Sequence, residues 1–334
     1  MDVIIPHPRY PPISKSNRNS LALEASLHVS RIRKFRLGYD GSGMNYLIET
    51  FSKPAPNLTY LKLCVFGPKM SFPNLFGLEF PKLVKLEVRG VEAWPKVVGA
   101  NLTWIRIDCY LNPHLLSRCI PYSPNLKVLK LLDIWDFDEP DPSTWQRIAL
   151  PPGARLTIKY SSICPRILAL FSLPQDCRIK LGNLAYIGHS VPSLSYVLPD
   201  DIAPFKNLRT LTRLHITARF NIEIRVKVKC YRLDRPAFEV NVGFSPEVPA
   251  LVEPNNTPMM WFLVNLHQIV LREVEELRME GFAGPLEPQT VELLEFLKRM
   301  PGLTRLITTD NNEETLCSAL DSLGCRAVVV RAEG

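Results

Sequence analysis

One six-residue phrase recurs along this chain, with an aliphatic or aromatic residue at its first, fourth and sixth positions. It reads Ile32/Phe35/Leu37, Leu58/Leu61/Leu63, Leu83/Leu86/Val88, Leu102/Ile105/Ile107 and Leu126/Leu129/Leu131, and its starts lie 26, 25, 19 and 24 residues apart. A strand turns successive side chains to opposite faces, so the fourth and sixth positions point the same way and the first marks the corner leading in. No single copy can bury three such side chains. Stacked copies bury them as one column, so the phrase predicts a row of short parallel strands rather than an ordinary two-layer domain.

The connections read as turns and short helices. Three copies carry a proline before the corner residue, at Pro56-Asn57-Leu58, Pro81-Lys82-Leu83 and Pro124-Asn125-Leu126, and 30 of 334 residues are proline, nearly double the usual ~5%. Asn45–Ser52, Pro113–Ile120 and Ile163–Phe171 have helical spacing. Val291–Met300 is the clearest helix, with Val291, Leu293, Leu294, Phe296, Leu297 and Met300 on a broad apolar face, and Glu313–Leu323 is another, closed by Gly324. Looser copies of the phrase follow at Leu211/Leu214/Ile216, Val274/Leu277/Met279 and Leu303/Leu306. Strict alternation from Ile222 to Tyr231, the turn signal Leu233-Asp234-Arg235-Pro236 and the run Phe238–Phe244 predict a hairpin over 222–244.

Spacings near 20–29 residues are those of leucine-rich repeats. The expected fold is therefore α/β, an irregular leucine-rich-repeat solenoid with parallel strands on the concave side, short helices and loops on the convex side, and an inserted β-hairpin. Residues 1–26 read as a disordered or loosely attached leader. Residues 27–334 read as one domain, with a more regular half, 27–183, and a degenerate half, 184–334. Pro246–Pro258 reads as a mobile loop.

Composition narrows function mainly by exclusion. A net charge of +7 favours acidic partners without naming one. Eight cysteines show no C-x-x-C and no metal-ligand spacing with histidine, which argues against a zinc site or a disulfide framework and for a reducing, intracellular setting, cytoplasmic or nuclear. No apolar run is long enough to cross a membrane, and none resembles a signal core. The acidic run Asp133, Asp136, Asp138, Glu139 and Asp141 lacks the glycine and final glutamate of a calcium loop, and Gly41-Ser42-Gly43 lacks the frame of a dinucleotide fingerprint. Six scattered histidines and no nucleophile elbow give no catalytic constellation. No cofactor is expected. Asn57-Leu58-Thr59 and Asn101-Leu102-Thr103 match the glycosylation pattern but read as coincidental, because their central leucines are repeat core positions.

The phrases Leu27-His28-Val29-Ser30-Arg31-Ile32-Arg33, Ala55-Pro56-Asn57-Leu58 with Leu61-Lys62-Leu63, Leu75-Phe76-Gly77 leading to Pro81-Lys82-Leu83, and Leu150–Leu181 around Phe171-Ser172-Leu173-Pro174 resemble those of fungal F-box proteins with C-terminal leucine-rich repeats. The resemblance spans most of residues 27–310. It implies the substrate-binding part of a ubiquitin-ligase receptor. Residues 1–26 hold no Leu-Pro-x-Glu-Leu-like phrase, so binding to the cullin-ligase adaptor is not expected of this chain alone. The family's asparagine beyond the last leucine is replaced by Phe66, Val91, Tyr110 and Ile134, which predicts an irregular stack without a buried asparagine ladder.

Between the inward positions lie residues expected on the concave face. One row reads Lys34, Tyr60, Lys85, Trp104 and Val128, and the next Arg36, Lys62, Glu87, Arg106 and Lys130. The candidate partner-binding residues are Lys34, Arg36, Tyr60, Lys62, Lys85, Trp104, Arg106 and Lys130, since aromatic and arginine side chains concentrate binding energy at protein interfaces. The expected partner is a protein substrate, acidic or phosphorylated. The bland reading is a solvated strand face with Glu87 pairing to Lys62 or Arg106. A second basic face, Arg225, Lys227 and Lys229 with Tyr231, Arg232 and Arg235, suits nucleic acid less well than it suits an edge strand guarded against aggregation. The alternative kept open is a basic solenoid binding RNA or phosphoprotein.

Overall fold

The computed structural model describes residues 1–5, 15–39, 44–65, 71–91, 94–108, 116–117, 119–133, 147–159, 164–186, 197–199, 201–220, 224–244, 269–281, 290–309 and 313–332. The chain divides into two compact units, Met1–Ala154 and Arg155–Gly334. The fold class is mixed α/β, dominated by long, mostly parallel sheets.

In the first unit, β1 (Asp2–Ile5), α1 (Lys15–Leu27), β2 (Lys34–Tyr39), α2 (Met44–Thr50), β3 (Tyr60–Val65), β4 (Lys85–Arg89), α3 (Lys96–Gly99), β5 (Trp104–Asp108), β6 (Val128–Leu132) and the short β7 (Ile148–Ala149) follow in order. Strands β1 to β6 pair in parallel and in sequence order. The register joins Phe35, Leu61, Leu86, Ile105 and Leu129, and beside them Leu37, Leu63, Val88, Ile107 and Leu131. These ten side chains and the corner residues Ile32, Leu58, Leu83, Leu102 and Leu126 are all buried, which is the column the phrase predicts.

Each corner is a turn closed from the corner residue back three positions, as in Leu58 N–H to Ala55 C=O at 3.1 Å and Leu126 N–H to Ser123 C=O at 3.1 Å. Proline at the second turn position is pre-set for this conformation. The asparagine or lysine just before the corner residue binds the preceding copy: Asn57 Nδ2 donates to Ser30 C=O, Lys82 Nζ to Asn57 Oδ1 and Asn101 Nδ2 to Pro81 C=O. Exposed polar corner residues thus tie successive copies together.

Connecting segments fill the space beneath the leucine face. Phe35 of β2, Phe51 after α2 and Phe76 in a tight turn stack edge to face, with ring centroids 4.8 and 5.2 Å apart from Phe35. Residues 1–26 were expected to be a loose leader, and here the structure differs. Asp2–Ile5 pairs with Lys34–Leu37, burying Val3 and Ile5, and Lys15–Leu27 is a helix that packs Ala22 and Ala25 inward. The β-branched run Val3-Ile4-Ile5 was the signal. It is too short to read without the neighbouring strand that completes it.

The second unit holds β8 (Arg155–Lys159), α4 (Cys164–Ala169), the short β9 (Phe171–Ser172), β10 (Arg178–Tyr186), β11 (Arg213–Phe220), β12 (Ile224–Arg232), β13 (Arg235–Phe244), β14 (Glu276–Glu280), α5 (Thr290–Lys298), β15 (Arg305–Thr308), α6 (Glu313–Ser322) and β16 (Val328–Arg331). Sheet order within it is β8-β10-β13-β12-β11-β14-β15-β16. The boundary between the two units in the chain follows Ala154, and β8 pairs in parallel with β10. The expected hairpin is β12–β13, and β11 also pairs antiparallel with β12. Strand β12 alone runs in reverse, so two antiparallel steps restore the direction and β14 to β16 continue in parallel. Strand β12 is therefore interior, and the expectation of a guarded edge strand is overturned. In α5, Leu293, Phe296 and Leu297 are buried, as is Met300 just beyond it, but Val291 is 69% exposed and lies off the apolar face. Gly324 closes α6 with φ +62°.

Candidate cation-aromatic interface

The in-register pairing that stacks the leucines also aligns the residues between them. Lys34, Tyr60, Lys85, Trp104 and Val128 form one row, and Arg36, Lys62, Glu87, Arg106 and Lys130 the next. Both rows are those read from the sequence, and all eight candidate residues lie on one sheet face of the first unit.

Within the rows, cations and rings alternate. The Arg36 guanidinium lies 5.5 Å from the Tyr60 ring centroid, Lys85 Nζ lies 4.7 Å from Tyr60 and 4.1 Å from Trp104, and Lys130 Nζ lies 5.3 Å from Trp104. Each ring is thus contacted by two cations, and Lys85 bridges both rings. Contacts within about 6 Å attract a cation to the ring quadrupole, contributing roughly 0.5–1 kcal/mol each where exposed. This offsets the repulsion that like charges on adjacent strands would otherwise impose.

Glu87 is the anionic hub. Only 9% exposed, it sits 3.4 Å from Lys62 Nζ and 3.6 Å from Lys85 Nζ, and it accepts a hydrogen bond from the Tyr60 hydroxyl. Burial pushes its pKa up, but Lys62, the Tyr60 hydroxyl and Lys85 together outweigh this and hold the carboxyl below its usual value. Tyr60 is affected in the opposite sense: burial first, then the Glu87 charge, pushes its phenol up to about 12. Arg106 does not pair with Glu87. Its guanidinium binds Asp108, two residues on in the same strand, at 3.0 Å. Lys34 is paired with Asp2 of β1 at 2.9 Å. At 8% exposure Tyr60 is part of the support rather than an open anchor, whereas Lys62, Lys85 and Arg106 keep roughly a third or more of their side chains in solvent.

Two interactions escaped the sequence reading. Asp2 lay in the supposed leader. Thr59 and Thr103, set aside with the glycosylation pattern, donate their hydroxyls to Arg33 and Val84 carbonyls at 3.0 and 3.3 Å, and Thr212 and Thr304 do the same at Tyr231 and Glu275 in the second unit. The recurring Leu-Thr pair was the available signal.

The second unit carries its own polar face, with two acidic hubs. Glu239 binds Lys180 at 3.0 Å and Lys227 at 3.2 Å. Glu280 receives Arg278, His215 at 3.2 Å and the Thr217 hydroxyl at 3.3 Å. Burial keeps the His215 pKa below its usual value despite Glu280. Of the basic hairpin residues, Lys227 is thus committed to Glu239, Arg232 donates to Gln175 C=O, and Tyr231 lies beneath Arg213.

Among the described residues no cluster of histidine, cysteine and acidic groups could hold a metal ion, and no helix is long and apolar enough to cross a membrane. The described cysteines are free thiols, and burial raises the pKa of Cys119, Cys164, Cys177 and Cys230. Pro113–His114, Gly41–Gly43, Asp136–Asp141 and Pro246–Pro258 lie outside the described residues. No protein-family model matches the chain, and no curated protein matches it.

Proposed function

We propose that this chain is a non-catalytic protein-recognition module of the leucine-rich-repeat kind, and that the polar face of β2 to β6 captures an acidic or phosphorylated protein. One observation carries the reading: Arg36, Lys62, Lys85, Arg106 and Lys130 place a basic side chain on each of five adjacent strands, over an aromatic and carboxylate support. A preorganised array of this kind spends little conformational entropy on binding, and its field steers anionic partners. The repeat phrase extends the proposal to the substrate-binding part of an F-box-type ubiquitin-ligase receptor working inside the cell, with the adaptor contact supplied elsewhere. RNA is disfavoured as the partner. Single-stranded nucleic acid gains affinity by stacking bases on aromatic faces, and both rings of this face are engaged by cations.

Affinity capture from source cells, run with wild type and with a Lys62→Ala/Arg106→Ala variant, tests the reading. The expected result is a protein retained by wild type, resistant to nuclease and lost with the variant at a temperature where the variant is still folded by circular dichroism. Capture abolished by nuclease would favour the RNA alternative. Recovery of ligase subunits along with the captured protein would support the ubiquitin branch.

A further inference from the structure

Five cations of this face also carry metrical information. Arg36, Lys62, Arg106 and Lys130 share one register row on β2, β3, β5 and β6, and on β4 that row is filled by Glu87, to which Lys85 leans within 3.6 Å from the adjacent row. At this level of the sheet each of the five strands contributes one basic side chain, at a strand spacing of about 4.8 Å, with Lys34 of β2 drawn to Asp2 and Arg89 at the far end of β4. Four such steps span roughly 19 Å.

A partner that meets every strand with one anion must repeat at nearly that interval. An α-helix advances ~5.4 Å per turn and returns a side chain to the same face every third or fourth residue. It drifts from the strands by only about 0.6 Å per step, or roughly 2–3 Å over the whole array, within the reach of lysine and arginine stems. An extended segment returns to the same face every second residue, at ~6.7 Å, and falls out of step by nearly 2 Å at each strand. Cation-bearing ligands gain nothing here, because both rings are already covered by Arg36, Lys85 and Lys130.

We propose that the face of β2 to β6 receives an acidic α-helix of the partner protein, laid across the strands with one carboxylate-bearing turn per strand. The inference rests on the recognition reading above and adds to it the form of the recognised segment. Five turns require a helix of about 15–18 residues with acids at i, i+4, i+7, i+11 and i+14. Lys85 is the central contact. Its ammonium is fixed between two rings and shares Glu87 with Lys62, so it meets the incoming carboxylate without prior ordering.

The test is a titration of the full chain with three labelled 18-residue peptides of identical composition at physiological salt. One carries five glutamates in the single stripe, one has the same residues permuted around the helix, and one keeps the stripe order but has two prolines moved to its centre from its ends. The striped peptide is expected to bind roughly tenfold tighter than either control, a difference the size of one or two interfacial ion pairs. Lys85→Ala and Arg106→Ala should each weaken it several-fold; Lys85→Ala also loses two ring contacts and a Glu87 contact, so it is titrated at a temperature where its circular dichroism matches that of wild type, and the end variants Arg36→Ala and Lys130→Ala should weaken binding less. Equal binding of the three peptides would overturn the helix and leave recognition of acidic chains standing. Striped binding indifferent to all four variants would overturn the site. Absence of binding by every peptide would overturn the inference, with the recognition reading then judged by the capture experiment alone.

Discussion

Lys85 holds its ammonium 4.1 Å from the centre of the Trp104 ring and 4.7 Å from that of Tyr60, so a single cation ties β3 to β5 across the strand that carries it. Trp104 in turn touches Lys130. The aromatic residues of this face therefore act chiefly as spacers that hold positive charges apart and in line. Replacing Trp104 by Leu keeps apolar bulk but removes two cation contacts, and should lower stability by about 1–2 kcal/mol. Urea denaturation checks this. An unchanged midpoint would mean that the lysines gain nothing from the ring.

Leu86 stands at the centre of the buried column with 0% exposure. Its replacement by Ala should cost about 2–5 kcal/mol, as for other fully buried leucines. Leu23→Ala, on the outer side of α1 at 57% exposure, should fall within about 0.5 kcal/mol of wild type. A comparison of the two denaturation midpoints tests the assignment of the phrase to the core face.

The carboxyl of Glu87 is held below its ordinary value of 4.5, so its charged form is favoured by folding. The stability it contributes is fully present above pH 4.5 and is lost as pH falls from there through the folded-state pKa. Glu87→Gln should accordingly be less stable than wild type at neutral pH, and the gap should close in acid. Melting curves from pH 7 to pH 3 check this, and a gap independent of pH would assign the effect to packing.

Gly90 ends β4 with φ +68°, and a Cβ placed on it would lie 2.7 Å from the Val65 carbonyl oxygen of the adjacent strand. Gly324 has a similar φ of +62° with open space around it. Alanine at Gly324 should cost only the left-handed backbone penalty of about 1–2 kcal/mol, and alanine at Gly90 should cost more because the strands must also part. Paired denaturation of the two variants separates strain from steric contact.

Much of the first unit was legible in the sequence. Side-chain alternation and a repeat of one residue class at intervals of 19 to 26 fix which face is buried, and parallel copies of the same phrase have only one register that buries all of them. The two polar rows follow from that register, which is why all eight candidate residues were found together. The hairpin was legible for the same reason, since period-two alternation on both sides of a turn needs no distant partner.

What the sequence left open depended on contacts between distant residues. The partner of Lys34 is Asp2, 32 positions away, and Asp2–Ile5 becomes a strand only because β2 offers it an edge. Glu87 could have paired with Lys62 or Arg106; it lies beside Lys62 and Lys85, while Arg106 binds Asp108. Strand β12 could have been an edge until β11 covered it. Periodic burial is a local property that each copy states for itself, whereas ion pairing and sheet order depend on which chain segments meet; those were decided only when the strands were stacked.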